Sequence, residues 1–341
     1  MATAALVRRV NLLSSTRQKV KTPSTLPSTV FARLYSVHPG EPPGPSNPSA
    51  SQHTERKKVT IQTIHSRYRK KIPITMLTAY DYPTAQTADR AETDIILVGD
   101  SLAMVALGYS STAKLTVDEM IHHCKAVSRG CDKAFKLADM TTGSYQISPE
   151  QALTNGFRII TEGSMEALKL EGGEEIAETV HRMTQAGIPI MGHIGLTPQH
   201  ENALGGFRVQ GKSAKKAEKI LKDALALQEA GCFGIVIECV PSPVAETITS
   251  LLRIPTIGIG AGPHTSGQVL VGQDMLGIFD RFVPKFCKQY AHLGNNIIGA
   301  YREYNREVRE SIFPDANQHT YPMSSEKELE EWLSIAAKYQ K

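Results

Sequence analysis

Short apolar segments recur along this chain, and each ends in polar, charged or glycine-rich sequence. The six clearest occupy residues 95–101, 135–139, 167–173, 189–193, 234–238 and 257–262. Near-continuous apolar runs of this length are typical of parallel strands that are buried on both faces. In a parallel α/β barrel the carboxyl ends of such strands meet at one mouth, where the active site lies. The pattern therefore predicts a set of polar side chains at a shared mouth.

Strands and helices alternate from residue 58 onward. The predicted strands are residues 73–80, 94–100, 135–140, 166–171, 188–194, 233–239, 255–260 and, less clearly marked, 268–273. Between them, Thr116 and Glu119 have the spacing of a capping box, and Ser148 is expected to cap a helix with Gln151 as its N3 partner. Eight β/α units in about 240 residues favour an α/β fold of the (β/α)8 TIM barrel type over an open doubly wound sheet.

The amino-terminal segment differs from this alternating body. Residues 1–40 contain six Lys or Arg and no Asp or Glu. Removing these six charges from the net charge of +4 leaves −2, so the body has no basic surplus that would indicate nucleic-acid binding. An Arg-rich leader without acids predicts a mitochondrial transit peptide over residues 1–36 and a matrix location; the alternative is a disordered, unprocessed tail.

The remaining boundaries follow from composition. Residues 37–57 are rich in proline and are expected to form an extended linker. Residues 58–320 should form the catalytic barrel, and residues 321–341 a C-terminal helical extension with an acidic helix near residues 325–339. No apolar stretch approaches the roughly 18 residues that a membrane-spanning helix needs.

The five cysteines form no C-x-x-C pair. Their odd number and spacing predict a reducing compartment and small core residues rather than a disulfide framework. Cys239 follows Glu238 directly, but successive side chains of a strand point to opposite faces. We therefore expect Cys239 to face away from Glu238 and to have no catalytic role.

Two charged residues lie within one predicted strand. Lys169 and Glu171 are two positions apart, so both should point into the barrel, while Leu168 and Leu170 face the helices. A lysine and a glutamate inside a barrel must be paired or functional, and a structural ion pair is the alternative to a functional site.

Carboxylates also end the two preceding strands. Asp100 ends the second strand and Asp139 the third. With Glu171 they offer three carboxylates, a donor set suited to Mg²⁺, whereas zinc is less favoured because clustered His and Cys are lacking. Either aspartate alone would more simply cap a helix. Together they predict a metal site formed by Asp100, Asp139 and Glu171.

An acid–base pair is predicted on the next two strands. Glu238 ends the sixth strand after four apolar residues and is the candidate general base. His193 ends the fifth strand and could donate to a substrate oxygen, with a satisfied core histidine as the alternative. These residues predict a divalent metal that chelates a small oxoacid, removal of a proton beside the carbonyl, and an enolate whose charge is shared with Lys169.

Residues 196–216 interrupt the regular alternation. The stretch at 205–211 is too rich in glycine and too long for a tight connection. Because it follows the fifth strand, it should lie at the catalytic mouth and could act as a lid; an irregular surface excursion is the alternative. Residues 258–262 let the backbone approach a ligand but lack the dinucleotide-binding spacing.

Several motifs in this order resemble the ketopantoate hydroxymethyltransferase family over about residues 58–320. They are residues 98–101, 169–173, 192–199, 205–211, 238–241 and 257–262. The resemblance, which is to a eukaryotic, mitochondrial type, implies a (β/α)8 barrel, Mg²⁺, 5,10-methylenetetrahydrofolate as co-substrate and a large homo-oligomer, often a decamer. The implied reaction adds a hydroxymethyl group to 3-methyl-2-oxobutanoate and gives 2-dehydropantoate.

The resemblance also implies roles for individual residues. Asp100 and Asp139 would bind the metal and contact the substrate through it. Glu171 would be a further metal ligand. Ser101 and Lys169 would bind the substrate carboxylate or keto group. The implied base for the C3 proton is Glu238, with His193 near the product hydroxyl. No compact motif marks the folate site, so its residues stay unassigned.

One departure from the family pattern follows Asp139. Thr141 and Thr142 stand where the family usually has Pro-Phe. Their presence removes a fixed φ and an aromatic wall, which could affect folate affinity or loop order.

Two other functions remain open from the sequence. One is another Mg²⁺-dependent 2-oxoacid C–C lyase or mutase of the same barrel superfamily, although its usual cysteine-bearing loop has no counterpart here. The other is a catalytically silent structural homo-oligomer.

Overall fold

Eight parallel strands close into a barrel in chain order in the computed structural model, which describes residues 56–339. The strands are β1 (Ile74–Thr78), β2 (Ile95–Val98), β3 (Phe135–Asp139), β4 (Ala167–Glu171), β5 (Ile190–Gly195), β6 (Gly234–Glu238), β7 (Thr256–Ile259) and β8 (Gly267–Leu270). Each strand pairs in parallel with its neighbours, and β8 pairs with β1. The predicted TIM barrel is confirmed. The predicted leader of residues 1–36 lies outside the described residues.

Helices alternate with these strands. They are α1 (Ile61–Arg69), α2 (Tyr82–Arg90), α3 (Leu102–Val105), α4 (Val117–Gly130), α5 (Pro149–Gly163), α6 (Ala177–Gln185), α7 (Glu201–Leu204), α8 (Ala214–Glu229), α9 (Ser242–Leu251), α10 (Gly272–Met275), α11 (Leu293–Arg309) and α12 (Glu326–Ala337). Short 3-10 turns occur at Thr112–Lys114, Glu174–Ile176 and Pro198–His200. None of the helices within residues 56–339 has the length and apolar character needed to cross a bilayer.

Alternation along the strands produces two apolar layers. On β2, Ile95 and Leu97 belong to the cluster inside the barrel. Ile96 and Val98 belong to the cluster between the strands and the helices. Both faces of β2 are therefore buried, which explains why it appears in the sequence as a continuous apolar run, whereas Thr75 on β1 and Gln268 on β8 are exposed.

Helix α1 covers the amino-terminal end of the barrel. Ile64 is fully buried and joins the interior apolar cluster. On the same helix, the Nε2 of His65 lies 3.0 Å from the carbonyl oxygen of Phe233, and the hydroxyl of Tyr68 donates to the carbonyl of Leu252 at 3.0 Å. With this end packed, ligand access is left to the carboxyl ends of the strands.

The helix starts confirm one predicted cap in full and another in part. Thr116 accepts from the amide of Glu119, whose carboxylate accepts in return from the amide of Thr116 at 2.9 Å. Ser148 caps α5 as predicted, but the role given to Gln151 is wrong. The side-chain oxygen of Gln151 accepts from the backbone amide of Ile147 instead, because its side-chain nitrogen donates to the carbonyl of Gly143 at 2.9 Å.

Residues 56–302 and residues 303–339 belong to separate compact units. In the second unit, α12 confirms the predicted acidic helix, and the side chain of Ser325 caps it by accepting from the amide of Glu328 at 3.2 Å.

A single carboxylate on α2 holds the entry to β3. Asp89 accepts from the backbone amides of Asp132, Lys133 and Ala134 at 3.0, 3.0 and 2.6 Å, and Arg56 lies 3.3 Å away. Burial favours the neutral acid, but these hydrogen bonds prevail and hold the pKa of Asp89 below its usual value. Ionised Asp89 therefore stabilises the fold.

Asp89→Asn should lower the free energy of unfolding by about 1–3 kcal/mol at pH 7, because its amide group cannot accept all of these donors. Since the folded-state pKa is the lower one, the contribution is present above the unfolded-state pKa and is lost as the pH falls through the folded-state pKa. The difference from the unchanged protein should therefore shrink below about pH 4. Urea unfolding at several pH values measures it, with the 82% exposed Asp132→Asn as control. A difference that is independent of pH would contradict the assignment.

Candidate active site

One cavity at the carboxyl ends of the strands contains every side chain predicted for the site. Its volume is about 540 Å³, within the usual range of ligand pockets. The predicted residues that line it are Asp100, Ser101, Asp139, Lys169, Glu171, His193 and Glu238. Segments that are distant in sequence are brought together because each ends or follows a strand of the same barrel.

Strand register sets the neighbours within this group. Asp139 on β3 is level with Lys169 on β4, and Glu171 on β4 is level with His193 on β5. Lys169 and Glu171 point into the barrel, as their spacing predicted. The intervening Leu170 packs between the strands and the helices.

Lys169 lies at the centre of the polar group. Its Nζ is 2.9 Å from Oδ1 of Asp139 and 3.0 Å from Nδ1 of His193. Burial alone would favour the neutral amine, but the charges of Asp139, Glu171 and Asp100 outweigh it and raise the pKa of Lys169. The ammonium therefore stays charged inside the barrel.

The group carries more negative than positive charge. Burial, followed by the like charges of Asp139 and Glu171, raises the pKa of Asp100 well above its usual value. Burial also acts on Glu171, but the charges of His193 and Lys169 and the hydrogen bond from the backbone amide of Gln199 outweigh it and lower the pKa of Glu171. With Glu238 as a fourth carboxylate, a bound divalent cation would relieve this excess charge.

The donor atoms suit Mg²⁺ in type. They are carboxylate oxygens, and the buried Asp139 Oδ1 and Glu171 Oε1 accept no hydrogen bond, although Lys169 forms an ion pair with the former. Within residues 56–339, however, no three His, Cys, Asp or Glu side chains are already arranged to hold a metal. Lys169 pairs with Oδ1 of Asp139, so a cation at that oxygen would compete with the ammonium, whereas Gln199 contacts Asp100 through Oδ2. The assignment of metal ligands stays a prediction.

His193 joins the cluster to the candidate base. Its Nε2 lies 3.1 Å from Oε2 of Glu238, and its Nδ1 lies 3.5 Å from Oε1 of Glu171, farther than from the ammonium of Lys169. Burial and Lys169 act to lower the pKa of His193, but the carboxylates prevail and raise it to about 9. The contact between Nε2 and Glu238 is an ion pair rather than an aligned hydrogen bond, so the charged ring of His193 would hold the Glu238 carboxylate through charge.

Gln199 is a site residue that sequence reasoning did not single out. Its side-chain Nε2 donates to Oδ2 of Asp100 at 2.9 Å and to the carbonyl of Met140 at 2.7 Å. Its backbone amide donates to Oε2 of Glu171 at 3.0 Å, and its Oε1 accepts from the hydroxyl of Tyr145 at 2.9 Å. Gln199 thereby fixes two predicted metal ligands at once. The signal available in the sequence was its place just after the fifth strand.

Gln199→Ala should weaken Mg²⁺ affinity or activity by about 10- to 100-fold, the usual cost of losing a group that orients a metal ligand. Titrating activity with Mg²⁺ measures the effect. The exposed Gln268→Ala, which bonds only to residues outside the polar cluster, is the matched control. Equal Mg²⁺ dependence in both variants would refute the orienting role.

Ser101 lies beside a buried tyrosine. Its hydroxyl is 2.8 Å from that of Tyr80, which is 1% exposed. Burial raises the pKa of Tyr80, so the phenol stays neutral. Through Ser101, which lines the cavity, the pair can offer one neutral hydrogen-bond donor at the edge of the cluster.

The Thr141–Thr142 departure lies outside the cavity lining. The turn that contains it is held by the amide of Ser144, which donates to the carbonyl of Thr141 at 3.1 Å. Tyr145, just beyond, is fully buried, and its hydroxyl lies 2.8 Å from the carbonyl oxygen of Glu171. The turn therefore stays in contact with Glu171 of the site, through Tyr145, without the Pro-Phe pair.

The expected orientation of Cys239 is wrong. Its side chain lines the cavity, because the residue lies beyond the end of β6 with φ of 49°, where strand alternation no longer applies. Burial, followed by the charge of Glu238, raises the pKa of Cys239 to about 12. It is therefore a thiol at neutral pH and a poor nucleophile.

The segment after β5 lies at the mouth, as predicted. Phe207 and Val209 line the cavity, and they remain 47% and 44% exposed. Gly205 and Gly206 have φ of 69° and 100°, a conformation that glycine adopts without strain. Closure of this segment as a lid stays a prediction.

Comparisons with known proteins identify the family of this chain. The ketopantoate hydroxymethyltransferase family model matches residues 58–316. The 3-methyl-2-oxobutanoate hydroxymethyltransferase of Emericella nidulans is 56% identical over 82% of this chain and 81% of its own length, and that of Heliobacterium modesticaldum is 54% identical over 79% and 98%.

A solved structure shares the fold alone. It is a phosphonopyruvate hydrolase in complex with oxalate and Mg²⁺, with a TM-score of 0.51, 13% identity, and coverage of 81% of this chain and 96% of its own. The family match and the two relatives carry the assignment: this chain is an enzyme that belongs to the ketopantoate hydroxymethyltransferase family.

Proposed function

We propose that this enzyme transfers a hydroxymethyl group from 5,10-methylenetetrahydrofolate to 3-methyl-2-oxobutanoate. Water supplies the hydroxyl oxygen, and the products are 2-dehydropantoate and tetrahydrofolate. The observation that carries the proposal is a row of four neighbouring side chains, Asp139, Lys169, His193 and Glu238. This row places the carboxylate of the candidate base and a buried ammonium in the same cavity. The relatives of this chain are named for the same reaction.

The substrate is held by the charged cluster. Lys169 and the hydroxyl of Ser101 bind the carboxylate or keto group of the 2-oxoacid. Asp100, Asp139 and Glu171 would hold Mg²⁺. When bound, the ion would polarise the keto group and reduce the negative charge of the cluster.

Glu238 removes the proton from C3 of the oxoacid. The electron pair of the broken C–H bond moves into the enolate, whose oxygen the Lys169 ammonium stabilises. Water adds to the methylene carbon of the folate as its two C–N bonds break, and the electron pairs and the two protons of the water stay on the folate nitrogens. C3 then bonds to the carbon of the resulting formaldehyde unit, whose C=O electron pair moves to oxygen, and this oxygen takes up the proton held by Glu238. His193 holds Glu238 in position and lies near the new hydroxyl group.

The reaction itself provides the test. The protein is incubated with Mg²⁺, 3-methyl-2-oxobutanoate and 5,10-methylenetetrahydrofolate, and 2-dehydropantoate is followed by mass spectrometry. We expect product in proportion to enzyme, with none when either the oxoacid or the folate is omitted. Lack of product from folded protein that binds Mg²⁺ would refute the proposed reaction and leave the lyase, mutase and silent alternatives.

We also propose a homo-oligomer, with a decamer as the form implied by the family, and a mitochondrial matrix location. The first rests on the family resemblance and the second on the acid-free residues 1–40. Light scattering on the purified protein measures the subunit number, and microscopy of the tagged full-length chain shows its location.

A further inference from the structure

A second polar group lines the same cavity away from the charged cluster. Asp274, in α10 just after β8, is 9% exposed. Its carboxylate makes no hydrogen bond or ion pair within residues 56–339, and its Oδ1 is a buried acceptor without a partner. Burial alone raises the pKa of Asp274 to about 6. An unpaired buried carboxylate is costly, so a ligand that supplies donors would be favoured here.

Aromatic rings line the same cavity as Asp274. Phe279, Phe282 and Phe286 all contribute to the cavity lining. Phe282 is 50% exposed and Phe286 is 37% exposed. Partly exposed rings around a cavity are typical of a site that takes the apolar face of a ligand.

The strand order separates Asp274 from the charged cluster by at least one intervening strand on each side, because β8 lies between β7 and β1. The cluster lies on β2 to β5, whereas β8, which precedes Asp274, pairs with β7 and β1. Glu238 ends β6, between the two regions. A cavity of about 540 Å³ is far larger than a five-carbon oxoacid needs. The space beside Asp274 therefore fits a second, flat ligand that carries N–H donors.

We infer that Asp274 binds the donor edge of the pterin ring of the folate co-substrate, formed by its ring N3–H and 2-amino group, while the phenylalanine rings contact the ring faces. The inference rests on the proposed function and deepens it by assigning the folate subsite. A carboxylate accepts two parallel N–H donors from such an edge, as it does from a guanidinium group. Pterin anchored on the β8 side directs the one-carbon unit toward Glu238.

The test compares Asp274→Asn with the unchanged full-length protein in Mg²⁺. Asparagine has nearly the same shape but offers only one acceptor. We expect KM for 5,10-methylenetetrahydrofolate, and Kd for tetrahydrofolate alone, to rise about 10- to 100-fold. Exchange of the C3 hydrogen of 3-methyl-2-oxobutanoate with D₂O needs no folate and should stay within about threefold. The exposed Asp280→Asn, six residues away, is the control.

A folate analogue without the 2-amino group tests the contact directly. The unchanged protein should bind it about tenfold or more weakly than tetrahydrofolate, and Asp274→Asn should discriminate far less. Equal binding of the two ligands by the unchanged protein would overturn the assignment, even if the variant failed to fold. Unaltered folate binding in the variant, or loss of C3 exchange together with folate binding in a variant that remains folded, would also overturn it. Lack of C3 exchange in the unchanged protein would instead count against the proposed reaction.

Discussion

Glu238→Gln is expected to lower kcat by about 10²- to 10⁴-fold, the usual contribution of a general base. The amide keeps the size of the side chain but cannot take the C3 proton. It can still face Nε2 of His193, which lies 3.1 Å from the carboxylate, so the packing of the site should persist. Exchange of the C3 hydrogen with D₂O should fall by a similar factor, because it reports the same proton transfer.

The loss must be separated from damage to the fold. Mg²⁺ binding and the midpoint of urea unfolding should stay close to those of the unchanged protein, since Glu238 is not among the predicted metal ligands. The matched control is Glu246→Gln, whose carboxyl group on α9 is 57% exposed, and it should keep full activity. A Glu238→Gln enzyme that retains more than about a tenth of its exchange rate would mean that another group takes the proton.

Lys169→Met is expected to destabilise the protein by about 3–5 kcal/mol without Mg²⁺, the cost of removing one partner from a buried ion pair. Methionine fills much of the space but leaves Asp139, Asp100 and Glu171 without the ammonium. Lys169 is 5% exposed and its partner Asp139 is 3% exposed, so water screens their interaction little. Activity should also fall, because the enolate loses its charged neighbour.

Mg²⁺ should restore part of the lost stability, because a cation binds folded protein whose carboxylates would otherwise repel one another. Urea unfolding with and without Mg²⁺ measures both effects. Lys136→Met is the control, since the Lys136 ammonium bonds to the hydroxyl of Ser128, outside the cluster, at 2.9 Å. A stable Lys169→Met protein whose unfolding ignores Mg²⁺ would contradict the account of the cluster.

The barrel could be predicted because strands that are buried on both faces appear in the sequence as short continuous apolar runs. All eight strands overlap the predicted ranges, most clearly where the strand is continuously apolar, as in β2 and β6. The inward direction of Lys169 and Glu171 follows from the two-residue period alone. The meeting of Asp100 with Asp139 follows from the closure of adjacent strands.

The residues whose positions or roles could not be predicted from the sequence depend on tertiary contacts or backbone turns that leave no local sequence pattern. Gln199 acts only because the chain after β5 folds back across Asp100. Asp274 follows the weakest predicted strand, and its burial depends on the loops packed around it. Cys239 turns into the cavity because the backbone leaves strand geometry one residue after β6. The Gln151 side chain accepts from the amide of Ile147 because the carbonyl of Gly143, in the turn before α5, accepts from its side-chain nitrogen.

The metal site could be predicted from the sequence only in part. The sequence predicts the type and number of ligands, because three carboxylates end adjacent strands. It could not predict that Lys169 and Gln199 would hold two of those carboxylates through direct contacts. The order of events at the site therefore depends on whether the cation displaces Lys169 from Asp139.

The most direct test of the central claim is proton NMR of 3-methyl-2-oxobutanoate in D₂O with the purified enzyme. The carboxylate and lysine cluster with Glu238 should exchange the C3 hydrogen when Mg²⁺ is present, and the exchange should stop with EDTA and in Glu238→Gln. Folded, Mg²⁺-bound protein that leaves the C3 hydrogen in place would contradict the assignment of Glu238 as the base and of this cluster as the site of enolate formation.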